Sequence, residues 1–74
     1  MQLEIGMKEI LAEKRRMTPK SGFNVVGVDA YELPGRKLYL IAHHATKGEA
    51  YKALAVFQKK NPGEDAHVYG PDTK

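Results

Sequence analysis

The stretch FNVVGVDAYELPGRKLYLIAHH, residues 23–44, decides the fold of this chain. Its two ends, FNVVGVDAYE and KLYLIAHH, are rich in β-branched and aromatic residues, which favour strands. Pro34 and Gly35 between them suit the central positions of a type II turn, because proline fixes φ and glycine accepts a positive φ. The stretch therefore predicts a β-hairpin.

A helix is predicted on each side of this hairpin. Upstream, apolar residues recur at helical spacing and the loop TPKSG follows them, so we expect a helix over about residues 2–16 with a stripe of Leu3, Met7, Ile10 and Leu11. Downstream, Thr46 and Glu49 form a capping-box pattern, in which the hydroxyl accepts the Glu49 amide and the carboxylate reaches back to the Thr46 amide. This pattern begins a helix that should run from about Lys47 to Lys60.

One further strand completes a small sheet. AHVYG, residues 66–70, predicts this strand, and a right-handed crossover through the second helix carries the chain to the far side of the first strand. We therefore predict an α+β fold in a single small domain over residues 1–74, with the element order α-β-β-α-β. Its three-stranded, mostly antiparallel sheet has the order 2-1-3 and is packed by two helices. The ββαβ unit covers about residues 22–70, and a polar tail covers residues 71–74.

Composition narrows the function classes. The 74 residues include no cysteine, which excludes disulfides and thiolate zinc sites, and a chain of this size buries only about 60% of the surface that the unfolded chain exposes. Self-association, for example as a homodimer, is therefore one expectation. No apolar run is long enough to span a bilayer and the N-terminus is too charged for a secretory signal, so we expect no membrane partner and a cytoplasmic location. The net charge of +3 permits polyanion binding without requiring it.

Alternation along the strands predicts two different sheet faces. One face should carry small aliphatic side chains, namely Val26, Val28, Ala30, Leu38, Leu40, Ala42, Ala66 and Val68. The other face should be rich in aromatic residues and histidine, with Val25 and Ile41 beside a candidate interaction face of Phe23, Tyr31, Tyr39, His43, His67 and Tyr69. If the first helix covers this second face, the domain has three layers. If both helices lie on the aliphatic face, the aromatic face is an open contact surface.

No catalytic, metal or cofactor site is predicted. His43 and His44 are neighbours on a strand and point to opposite faces, so they cannot share one metal ion, although His67 could approach His43. No nucleophile pattern, phosphate loop or carboxylate pair occurs, and Asp29 is the one acid in an unusual setting. We therefore expect no enzyme activity and no cofactor, and a site around Asp29 and the histidines is the least supported hypothesis.

Basic residues cluster after the first helix and at the hairpin turn. The candidate phosphate contacts are Lys14, Arg15, Arg16, Lys20, Arg36 and Lys37. Alternatively, cations in the last turn of a helix complement its dipole and remain solvated. The first functional hypothesis is a non-enzymatic binding or regulatory module that acts through protein–protein contacts on a sheet face or strand edge. The alternative is a small basic nucleic-acid-binding protein in which Tyr39 and Tyr69 stack on bases.

Overall fold

The computed structural model describes residues 2–72, with side chains from residue 7 onward. Its elements follow the predicted order: α1 (Gln2–Met17), β1 (Phe23–Val28), β2 (Leu38–His44), α2 (Lys47–Lys60) and β3 (Asp65–Tyr69). The sheet has the order β2-β1-β3, and both strand pairs are antiparallel. The predicted α+β fold, element order and strand order are therefore confirmed. The side chain of Leu3 and the last two residues of the predicted tail lie outside the described part.

Two Pro-Gly turns connect the elements. In the hairpin, a 2.9 Å hydrogen bond from the Arg36 amide to the Leu33 carbonyl closes the turn, and Gly35 has a φ of 93°. This is the predicted type II geometry, in which only glycine accepts the positive φ without strain. The loop after α2 repeats the chemistry, since Gly63 follows Pro62 and has a φ of 94°.

Strand β1 is shorter than predicted. It ends at Val28, because the next residue, Asp29, begins a turn in which its carboxylate accepts the Tyr31 amide at 3.0 Å. Aspartate favours such turns, since its short side chain bonds the backbone two residues further on. Asp29 and Tyr31 therefore lie in the loop between β1 and β2, and the strand predicted to continue through both is wrong at this end.

The cap of helix α2 uses the predicted residues in a slightly different way. Thr46 Oγ1 accepts the Glu49 amide at 3.3 Å, as expected for a capping box. The Glu49 carboxylate accepts the Thr46 hydroxyl at 2.9 Å, whereas the prediction was a bond from the Thr46 amide. At the other end, the backbone amide and the side-chain amide of Asn61 both donate to the Phe57 carbonyl at 2.9 Å, which terminates the helix.

The two helices lie on opposite faces of the sheet. Helix α2 packs against all three strands, and its Tyr51 and Ala53 border the same clefts as Phe23 and His44 respectively. Helix α1 lies on the other face and packs mainly against β2. The domain therefore has three layers, one of the two arrangements that the sequence leaves open. Within residues 2–72, neither helix combines the length and the apolar character needed to cross a membrane.

The predicted division into an aliphatic and an aromatic face is wrong. Residues paired across antiparallel strands share a face, so the observed register sets the two faces. The α1 face carries Asn24, Val26, Val28, Leu38, Leu40, His43, Asp65, His67 and Tyr69, and the α2 face carries Phe23, Val25, Gly27, Tyr39, Ala42, His44, Ala66 and Val68. Aliphatic and aromatic side chains are thus mixed on both. Ala42 pairs with Val25 and Leu40 pairs with Val26, so Ile41 between them has no partner on β1 and forms a β-bulge. The bulge places the side chain of Tyr39 on the opposite face of the sheet from that of His43.

Polar contacts attach α1 to the sheet. Glu13 is 2% exposed, and its carboxylate accepts the Leu38 amide at 2.5 Å. Near the end of the helix, the Asn24 side chain donates to the Met17 carbonyl at 2.8 Å. The predicted apolar stripe contributes less than expected, because Met7 is 62% exposed and Leu11, Ile10 and Met17 remain partly accessible. Among the described side chains, the buried apolar core consists of Val25, Val26, Ala50, Ala66 and Tyr69.

Candidate binding groove

A groove runs between α1 and strand β3, on the part of the sheet face that α1 leaves open. It consists of two clefts that share Lys14. The first, of about 640 Å³, is lined by Leu11, Lys14, Arg15, Thr18, Pro19, Lys20 and Pro71. The second, of about 420 Å³, is lined by Ile10, Glu13, Lys14, Val28, Lys37, Leu38, His67 and Tyr69. Together these two clefts form the α1–β3 groove.

The second cleft contains two buried polar side chains, Glu13 and Tyr69. Tyr69 is 7% exposed, and it shares the sheet face with His67. Burial raises the pKa of the Tyr69 phenol above its ordinary value, and the negative charge of Glu13 raises it further. The phenol therefore stays protonated at neutral pH and can donate a hydrogen bond.

The two edges of the sheet differ. The Asp29 amide donates to the Lys37 carbonyl at 2.6 Å, so the next residue of β2, Leu38, turns its amide away from β1. Glu13 accepts this outward amide, and the bulge at Ile41 distorts the rest of the edge. Bulges and covering side chains are devices that prevent a strand edge from pairing. The β2 edge is therefore obstructed.

The β3 edge has neither device. The odd-numbered residues of β1 form their backbone hydrogen bonds with β2, so its even-numbered residues form theirs with β3. The β3 residues opposite these even-numbered residues are Asp65, His67 and Tyr69. The intervening residues Ala66 and Val68 consequently turn their backbone amides and carbonyls outward. Within residues 2–72, strand β3 pairs with β1 alone, and its register shows no bulge. A row of backbone groups is thus available for pairing beside the groove.

The candidate phosphate contacts fall into three groups. Lys14, Arg15 and Lys20 line the first cleft together, and none of the described side chains in its lining is acidic. Arg16 donates to the Gly35 carbonyl at 3.0 Å and shares a separate small cleft with Arg36 near the hairpin turn. Lys37 borders the second cleft and donates to the Ala30 carbonyl at 3.1 Å. The positive charge of the groove therefore comes mainly from Lys14, Arg15 and Lys20.

The candidate interaction face does not form one surface. His67 and Tyr69 line the groove, and His43 is on the same sheet face. Tyr39 lies on the α2 face across Gly27, where a Cβ atom would be 2.2 Å from its ring. Phe23 is also on the α2 face, against Gly70, and Tyr31 is 99% exposed in the hairpin loop. The predicted common direction of Tyr39, His43, His67 and Tyr69 is wrong for Tyr39, because the bulge in β2 changes its side.

The histidines occupy three separate settings. Since the Asn24 side-chain nitrogen donates to Met17, its oxygen faces His43, whose Nδ1–H donates to it at 2.6 Å. His44 lies on the other face, and its Nε2 is buried with no hydrogen-bond partner among the described residues. His67 is exposed in the groove. Within residues 2–72, no group of three or more metal-ligating side chains comes together.

Sequence reasoning missed Glu13, which the structure places in the second cleft of the groove. Glu13 lies three residues after Ile10 and four residues before Met17, so it shares a helix face with two apolar residues. This spacing is the feature of the sequence that indicates its burial. The arrangement offers an apolar groove, cations along one wall and an unpaired strand edge, and these features suit binding. Comparison with known protein families, with curated proteins and with solved structures finds none that matches this chain.

Proposed function

We propose that this chain is a non-enzymatic binding module that acts through protein–protein contacts at the edge of β3 and the α1–β3 groove. The observation that carries the proposal is the difference between the two sheet edges. Glu13 and the Ile41 bulge obstruct the β2 edge, whereas the outward backbone groups of Ala66 and Val68 are unpaired by any strand. An extended segment that adds a strand to an open sheet edge is a common mode of protein recognition.

The groove adds side-chain recognition to this backbone pairing. Along an added strand, alternate side chains would point to the α1 face, where Leu11 and Ile10 are 49% and 38% exposed. Main-chain hydrogen bonds then supply affinity, and the groove selects among sequences. We also propose a cytoplasmic location, which suits a chain that has no cysteine and needs no oxidising compartment.

Nucleic-acid binding is the second candidate function. The convergence of Lys14, Arg15 and Lys20 on one cleft, whose lining has no acidic side chain among residues 7–72, supports it. The proposed stacking pair does not, because Tyr69 is buried and Tyr39 lies on the opposite face. Without an aromatic platform only phosphate contacts remain, and these position a nucleic acid without reading its bases.

Peptides selected from a random-sequence display library provide the test. Selection is made against the wild-type chain, and dissociation constants are then measured by fluorescence anisotropy for two variants of one position. Val68→Pro removes an outward amide of β3, while Val68→Ala shortens the same side chain and keeps the amide. Circular dichroism verifies that both variants fold.

We expect peptides that bind the wild type and Val68→Ala with similar affinity, and a loss of at least about tenfold in Val68→Pro, because one main-chain hydrogen bond and the close approach of the strand are lost. Failure to enrich any peptide at a concentration where the chain sediments as a monomer would overturn the proposal. Equal binding to the two variants would also overturn it, since the β3 edge would then not be the binding surface.

A further inference from the structure

We infer that the segment which pairs with β3 is the β3 strand of a second copy of this chain, an inference that rests on the binding role proposed above. Two antiparallel β3 strands related by a two-fold axis at His67 place Ala66 of each copy opposite Val68 of the other. These are the two residues whose backbone groups face outward, so this register uses every unpaired group of the edge. The result is one six-stranded sheet in the order 2-1-3-3-1-2.

Charge complementarity favours this occupant. Strand β3, of sequence DAHVY, begins with the acidic residue Asp65 and contains no Lys or Arg. In the register above, Asp65 of one copy lies opposite Tyr69 of the other, and both side chains belong to the α1 face. The carboxylate therefore arrives at the cleft that contains Tyr69 and Lys14.

Glu64 does not take part in this contact. By alternation along β3, it lies opposite Gly70 of the second copy on the α2 face, as Ala66 and Val68 do, and not in the groove. The charge contact of the interface is therefore that of Asp65 with the cleft of Lys14. Because the two-fold axis repeats every contact, it occurs twice in the dimer.

The small core gives this pairing a physical role. The buried core among the described residues consists of only five side chains, and a domain of this size often needs a partner subunit for stability. Pairing through β3 adds main-chain hydrogen bonds and covers the exposed side chains of the groove. It needs no rearrangement of the fold, since the edge is already extended and regular.

Analytical ultracentrifugation over a concentration series tests the inference. We expect a monomer–dimer equilibrium whose dissociation constant rises at least about tenfold in Lys14→Glu and in Asp65→Lys. Each substitution reverses a charge in two symmetric contacts, and each contact changes the dissociation constant by roughly threefold. The combined variant Lys14→Glu with Asp65→Lys restores attraction between opposite charges. Its dissociation constant should return to within about threefold of the wild-type value.

Lys52→Glu is the matched control, since it makes the same charge change on α2, on the opposite face of the sheet. It should leave the dissociation constant unchanged within about twofold. A dimer that Lys14→Glu and Asp65→Lys do not weaken, or that the combined variant does not restore, overturns the proposed interface.

Two further outcomes separate this inference from the proposed function. A chain that is monomeric at every concentration but binds selected peptides at the β3 edge refutes the second copy and keeps the binding module. A monomer that binds no peptide refutes both. A labelled single-stranded oligonucleotide provides the third arm: if it binds in a Lys14-dependent manner and the chain stays monomeric, the groove binds phosphate and the inference fails.

Discussion

Glu13 provides the strongest test of how this fold is held together. Its carboxylate is 2% exposed and accepts the outward amide of Leu38 at 2.5 Å, which joins α1 to the edge of the sheet. Glu13→Ala leaves that amide without its acceptor and removes a bond to a charged group, which costs about 1.5–3 kcal/mol. The loss of one packed methylene group adds roughly 0.8 kcal/mol, and the better helix propensity of alanine returns about 0.4 kcal/mol.

The expected free energy of unfolding of Glu13→Ala is therefore lower than that of the wild type by about 2–4 kcal/mol. For a domain of this length, each kcal/mol lowers the melting temperature by about 4–8 °C, so the melting temperature should fall by roughly 8–30 °C. Urea unfolding followed by circular dichroism measures the first quantity, and a thermal melt measures the second.

Two other variants show whether the buried acceptor is the cause. Glu9→Ala makes the same change one turn earlier on α1, at an exposed position, and should alter stability by no more than about 0.5 kcal/mol. Glu13→Gln keeps an acceptor oxygen without the charge and should cost about 1 kcal/mol. If Glu13→Ala is as stable as Glu9→Ala, the bond to Leu38 contributes nothing and the account of how α1 is attached is refuted.

The remaining predictions concern glycines and pH. Gly48→Ala and Gly63→Ala both add a Cβ atom to open space, but Gly63 has a φ of 94°, which alanine does not adopt without strain. In urea unfolding we therefore expect Gly48→Ala to stabilise the chain by about 0.5–1 kcal/mol and Gly63→Ala to destabilise it by about 1–2 kcal/mol. Equal effects would show that the turn after α2 does not need the left-handed conformation. The pKa of Tyr69 is raised above 10.0 in the folded chain, so the unfolded chain loses the phenol proton first and folding stability should decrease as pH rises above about 10. Tyr69→Phe should lack this component of the alkaline decrease, and identical pH profiles of the unfolding free energy would contradict the assignment.

Local signals in the sequence predict most of the architecture. Pro34 with Gly35, and Thr46 with Glu49, each specify a turn or a helix start within four residues, and both are found where predicted. Helix α2 has the predicted limits for this reason. The strand order follows from the handedness of the crossover, which is a general property of such connections.

The candidate site was less predictable, because it depends on how the strands meet. Alternation along a regular strand predicts which face of the sheet each side chain is on. Whether Tyr39 and His43 share a face depends, however, on whether Ile41 is paired with β1 or forms a bulge. That choice is made by contacts with β1, which no short stretch of β2 contains. Glu13 was missed for a related reason, since a glutamate in a helix normally faces water and only the outward amide of Leu38 makes its burial favourable.

The obstruction of the β2 edge also limits how far this protein can polymerise. A sheet with two open edges can add copies without end, which is the route to fibres. In the proposed dimer, growth through β3 would stop at two copies, because each copy would then present only the edge that Glu13 and the bulge obstruct. The buried carboxylate and the bulge would thus act together as a terminator, and loss of Glu13 would free the outward amide of Leu38 for pairing with another chain.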